Sequence, residues 1–272
     1  MARGSCIVVC MQSNPVIFDR KRVALHKQRA AARAKAHDFL FDEMEARIAE
    51  RLGEVKRRFD RRLDISGRPD APISCFCRED ERLECAKDSF DLITSPGGLH
   101  WVNDLPGMLA QIQHVLAPDG LFIGIFPGGE TLKELRTSLE QAELVLKGGI
   151  SPRIAPFIDV RDAGSLLQRA GFALPVVDSE VLTIEYDEPF KLLADLRGMG
   201  ETNALIQSTK HFTPRRVMTA AMEYYRTHFT NAAGRVVASM ELVTLTGWKS
   251  HASQQQPAKR GSGRVGLGEV LQ

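Results

Sequence analysis

Residues 63–67, Leu-Asp-Ile-Ser-Gly, read as a buried strand that ends at a glycine turn. A nucleotide-binding βαβ unit opens this way, then runs through a glycine-rich loop, a helix and a second strand ending in an acid. Here the next buried run, Ser89-Phe90-Asp91-Leu92-Ile93, follows almost at once. Only 24 residues separate Ile65 from Phe90, whereas a passage through helix, strand, helix and strand needs roughly twice that. The expected fold is an α/β sheet whose front βαβ unit is shortened.

The rest of the chain fits that frame. Phe90–Thr94 and Leu121–Phe126 are continuous apolar runs suited to buried parallel strands. Pro96-Gly97-Gly98 and Pro127-Gly128-Gly129 follow them, at the strand end where open α/β sheets bind ligands. Leu105–Leu116 reads as a helix with Met108, Leu109, Ile112, Val115 and Leu116 inward, and Ala117-Pro118-Asp119-Gly120 stops it with a turn. Helices are expected at Glu130–Lys147, stopped by Gly148-Gly149, and at Val160–Ala170, with Asp159 or Asp162 near its start. Pro175–Tyr186 and Arg235–Thr246 alternate as antiparallel strands do, with helical stretches Phe190–Arg197 and Pro214–Phe229 inserted between them. Nearer the front, Phe41, Met44, Ile48, Leu52 and Val55 recur at spacings of three and four, which predicts a helix over Phe39–Arg58. Arg68–Pro72 reads as a turn and Ile73–Cys77 as a short strand. Three parts result: a basic segment 1–36, an α/β domain 37–248 with a helical cap insertion over 187–234, and a polar tail 249–272.

With 43% hydrophobic residues in 272, a normal core can form. A net charge of +2 gives no general case for a nucleic-acid partner. The charge is uneven: Arg20, Lys21, Arg22, Lys27, Arg29, Arg33 and Lys35 fall in one acid-free stretch. Such a stretch can meet an acidic partner, RNA or an anionic surface, but a solvated helix face is the plainer reading. Five cysteines, none beyond Cys85, argue for reduced thiols and an intracellular setting rather than a disulfide framework or metal site. No apolar run approaches the ~20 residues that span a bilayer, so no transmembrane segment is expected.

Three further stretches carry a resemblance. Asp88–Ile93 with Leu99-His100-Trp101-Val102-Asn103-Asp104-Leu105-Pro106 is one. Leu116–Gly124 and Pro127-Gly128-Gly129-Glu130-Thr131-Leu132 are the others. They resemble class I methyltransferases that use S-adenosyl-L-methionine (SAM), of two related kinds. These are mitochondrial complex I assembly factor 5 with its bacterial relatives, and, more distantly, the biotin-pathway malonyl-carrier-protein O-methyltransferases. Ile17-Phe18-Asp19-Arg20, Leu196–Asn203 and Thr246–Gln255 are similar to the first kind. The departure is at the front, where Pro69, Asp70 and Pro72 stand in place of the family's glycine-rich loop and helix.

The resemblance implies a Rossmann-like sheet with an antiparallel edge strand and SAM as cofactor. Asp64 and Gly67 would belong to the first cofactor-binding strand, and Glu79 or Asp80 would stand beside the adenine. Ser95 and Gly97 would line the methionine end. His100, Trp101 and Tyr186 would face the acceptor, although each also suits a packing role. The acceptor would be a protein or a carrier-bound small molecule, including a subunit of the complex I peripheral arm. The setting would be the cytoplasm in a bacterium, and the mitochondrial matrix or inner-membrane periphery in a eukaryote. Two alternatives stand beside methyl transfer: arginine hydroxylation of a complex I subunit, with which the mitochondrial relative is associated, and a non-catalytic assembly role.

Overall fold

A computed structural model describes residues 16–71, 80–209 and 211–255. The expected strand Ile73–Cys77, the candidate Glu79 and all cysteines but Cys85 lie outside the described residues. Five strands form one sheet: β1 (Arg62–Asp64), β2 (Phe90–Pro96), β3 (Leu116–Pro127), β4 (Phe172–Tyr186) and β5 (Val236–Lys249). Their spatial order is β1-β2-β3-β5-β4. β1, β2 and β3 run parallel, and β5 is antiparallel to both β3 and β4. This is the class I methyltransferase plan, with the reversed strand one place in from the edge.

Side chains alternate along β3 and so build two cores. Leu121, Ile123 and Ile125 point to one face, where α2 (Phe39–Glu54), α4 (Lys133–Lys147), α6 (Pro189–Gly198) and α7 (Arg215–His228) pack through Phe41, Met44, Leu135, Leu139, Leu196 and Tyr225. Phe122 and Phe126 point to the other, against α3 (Leu105–Val115) and α5 (Val160–Arg169) through Leu109, Ile112 and Leu167. The cap insertion thus joins the first core rather than standing apart from it.

The remaining helix, α1 (Arg20–Ala31), is capped by Asp19, which accepts from the Arg22 amide at 3.1 Å. The basic stretch is not simply a solvated face. Arg20 and Lys27 are buried, and both turn inward to carboxylates, Glu81 and Glu201.

Several boundaries differ from the sequence expectation, each for a local reason. α2 ends at Glu54 because Val55 is extended. The 117–120 turn survives as an excursion inside β3, where pairing jumps from Phe90–Leu116 to Leu92–Leu121 and Asp119 takes φ 61°. α4 starts at Lys133, not Glu130. The residues before it are held to β5: the Leu132 amide donates to Ser239 O at 2.8 Å and the Thr131 hydroxyl to Glu241 O at 3.2 Å. β4 starts three residues early and β5 ends three late because the two strands pair to Phe172–Lys249 beyond a bulge.

Candidate functional site

The site begins where two backbone turns touch. Gly97 and Gly98, just past β2, both take positive φ, 73° and 93°, which favours glycine. A Cβ on Gly97 would come 2.7 Å from the Phe41 ring. A Cβ on Gly67, past β1, would come 2.5 Å from the Gly98 nitrogen. The two glycine turns therefore lie against each other, with α2 pressed on top.

Beside this seam, at the C-terminal ends of β2 and β3, is a cavity of ≈ 260 Å³. Leu40, Phe41 and Met44 of α2 wall it, with Leu132 and Leu135 at the start of α4, Leu193 and Leu196 of α6, Met218 of α7 and Met240 of β5. One corner is polar and is formed by His100, Trp101, Glu201, Thr202 and Asn203.

Glu201 organises that corner. Its carboxylate lies 2.8 Å from His100 Nε2 and accepts from the Trp101 indole N–H at 2.7 Å, while Lys27 Nζ pairs with its other oxygen. Lys27 also donates to Met199 O at 3.2 Å. Burial on its own would raise the Glu201 carboxyl, but the Lys27 charge and the hydrogen bonds from His100 and Lys27 outweigh it and hold the group well below the carboxylate range. His100 Nδ1, at the other side of the ring, is buried and has no hydrogen-bond partner among the described residues.

The stretches that carried the resemblance meet here. Phe18 sets its ring edge-on to Trp101 at 5.2 Å, Arg20 donates to Trp101 O at 2.7 Å, and the Asp19 amide donates to Ala204 O at 2.9 Å. Asn103 Oδ1 accepts from the Ile17 and Phe18 amides at 2.8 Å each. Residues 17–20, 99–106 and 196–203 thus form one corner of one site.

The candidate residues separate into those inside the cavity and those outside it. Gly97, His100 and Trp101 line it. Ser95 is buried beneath, its hydroxyl donating to Gly97 O at 3.3 Å. Gly67 packs behind Gly97. Asp64 faces a different groove, beside Glu45, Ile48 and Leu52, and accepts from the Thr94 hydroxyl at 2.9 Å. Burial pushes its carboxyl up. Asp80 is exposed and faces the Arg82 amide at 3.4 Å. Its neighbour Glu81 is structural, accepting from the Asn103 and Asp104 amides at 2.9 and 3.1 Å and pairing with Arg20 at 3.1 Å. Tyr186 is buried in the core at the end of β4 and does not line the cavity. Sequence reasoning missed Glu201 and Lys27 as site residues. The signal was present, since Glu201 sits inside Leu196–Asn203.

A family model described as "Methyltransferase domain" matches residues 49–124, from α2 into β3. The protein named "Arginine-hydroxylase NDUFAF5, mitochondrial" of Danio rerio is 36% identical over 93% of this chain and 89% of its own length. Its human namesake is 38% identical over 93% of this chain and 83% of its own length. The chain belongs to the NDUFAF5 family. The zebrafish alignment runs over 287 positions, more than the 272 residues present here, so it includes NDUFAF5 residues without a counterpart in this chain. A malonyl-[acyl-carrier protein] O-methyltransferase of Halorhodospira halophila is more distant, 31% identical over 70% of this chain and 63% of its own length.

The cofactor of the methyltransferase domain is SAM, and the turn past β2 stands beside room for a ligand. The Phe41 ring closes the Gly97 turn on its Cβ side, the Ser95 hydroxyl bonds within that turn, and the cavity opens directly beside it. The ribose end is built differently. No acid at the end of a second parallel strand is found among the described residues, and Gly67 is in contact with Gly98.

Proposed function

We propose that this chain binds SAM beside Gly97 and acts on a side chain of a protein partner held in the cavity under the cap. The observation that carries this reading is the cavity's polarity. Its walls are mostly apolar, with Arg153, Arg197 and Thr131 set among them, and a polar cluster around Glu201 stands at one corner. A side chain with an apolar stem and a polar tip matches that pattern, and arginine is such a side chain. The relatives' name, arginine hydroxylase, supports the same choice. When bound, SAM supplies an electrophilic sulfonium methyl. The chain's own residues then exclude water, through Phe41, Met44 and Met218, and orient the side chain at the Glu201 corner.

The partner class in this reading is a subunit of the respiratory complex I peripheral arm, acting in the mitochondrial matrix or at the inner-membrane periphery if the source is eukaryotic. The relatives' mitochondrial label supports that setting. Among the described residues no helix is long and apolar enough to cross a membrane. A second reading, hydroxylation of the same arginine, is favoured by the relatives' name alone.

The test is incubation of the purified chain with SAM and isolated peripheral-arm subunits, followed by peptide mass spectrometry. Methylation of a side chain supports the first reading. An added oxygen supports the second. Stable association with neither modification leaves an assembly role, and no association under low salt contradicts the reading of the partner.

A further inference from the structure

We propose that His100 is the residue that receives the substrate side chain, through Nδ1, and that Glu201 is its positioning residue. An ionised carboxylate only accepts hydrogen bonds. Glu201 pairs with Lys27, so its 2.8 Å contact with His100 puts a proton on Nε2, and the form that can receive a donor is the neutral Nε2–H imidazole. The second nitrogen is then a bare lone pair. It is buried, belongs to a residue that lines the cavity, and meets no donor among the described residues. Buried acceptors are almost always paired, so a donor arriving in the cavity completes the site. An N–H group of a polypeptide side chain is the ligand class that fits, with its stem against the apolar walls.

The ring is pre-set for this. The Trp101 indole donates to the same Glu201 oxygen that faces His100, and Phe157 flanks the imidazole at 6.1 Å. The charged and titratable groups around it are Glu201, Lys27 and His26 on the Nε2 side, Arg20 behind Trp101, and Arg153 and Arg197 on the cavity walls. This assignment rests on the cavity being a side-chain site, and adds the atom that reads the side chain.

The experiment is NMR of the ring nitrogens in the full chain labelled with ¹⁵N-histidine, with His100→Asn to identify the signal. The expected result is a proton on Nε2 and none on Nδ1. Adding N-acetyl-L-arginine amide at tens of millimolar should move the Nδ1 resonance, and N-acetyl-L-norleucine amide should not. A proton on Nδ1, an equal response to both probes, or no response to either overturns the assignment. A silent Nδ1 in a chain that binds SAM removes this inference and leaves the cofactor reading standing. A responsive Nδ1 in a chain that ignores SAM does the reverse. The paired change Lys27→Met with Glu201→Gln removes both charges together. It should weaken the arginine-probe response at least fivefold, and an unchanged response overturns the part given to Glu201.

Discussion

The front and rear of the sheet are built on different terms. At the front, β1 is three residues long, lies on the edge of the described sheet and is mostly exposed. It is held by backbone contact between glycines and by surface ion pairs, such as Arg68 with Asp38, Asp42 and Glu45. At the rear, β4 and β5 run 15 and 14 residues and pair along their length, and β5 is buried on both faces. Burial of apolar surface dominates stability, so the rear carries the fold and the front can be shortened without unmaking it. The site lies on the seam. Its walls draw on both halves: Phe41, Met44, Gly97, His100 and Trp101 come from the front, and Met240 of β5 with the cap residues Leu193, Leu196 and Met218 from the rear.

Substitutions can break or sharpen this contrast, and they rank by expected size. Phe126→Ala, in the rear core, should cost about 4 kcal/mol, read by denaturant unfolding, because it opens a cavity where nothing can relax. A loss below about 1 kcal/mol would undo the claim that the rear carries the fold. Lys27→Met alone should cost about 3 kcal/mol, since it strands the buried Glu201 charge. The paired Lys27→Met and Glu201→Gln variant should recover most of that loss.

Acid should weaken the rear next. Burial would raise the Glu143 carboxyl, but hydrogen bonds from Ser151, Arg153 and Lys147 outweigh it and hold the group at about 2. A lowered folded value means that the stabilisation is complete above the ordinary value of 4.5 and is lost as pH falls toward 2. Glu143→Gln should flatten that part of the pH–stability curve, on the order of 2 kcal/mol. An unchanged curve would mean that the cluster contributes nothing. At the seam, Gly67→Ala should cost about 1–2 kcal/mol, because its Cβ meets backbone at 2.5 Å. Leu63→Ala, on β1, should be the mildest, below about 1 kcal/mol.

Much of the rear was legible in the sequence because its signals are periodic. The apolar runs at 90–94 and 121–126 and the alternation at 175–186 leave little choice of element. The site was legible only in part. The Pro96-Gly97-Gly98 turn follows from a strand end, where open sheets bind ligands, and the resemblance points to His100 and Trp101; Gly97, His100 and Trp101 all line the cavity. Glu201 and Lys27 are not picked out in either way, because they come from the cap and from the first helix and meet only in three dimensions. The basic stretch 20–35 shows the same limit: composition counts its charges but cannot say that Arg20 and Lys27 turn inward. Tyr186 takes the packing role that the sequence also allowed, since a tyrosine near a cap can equally end in the core.

Calorimetric titration of the full chain with SAM tests the central claim most directly. If the seam still holds the cofactor despite the shortened front, saturable binding of one SAM per chain in the micromolar range is expected. Silence at millimolar SAM would contradict it, and would leave a methyltransferase fold that has kept its substrate side alone.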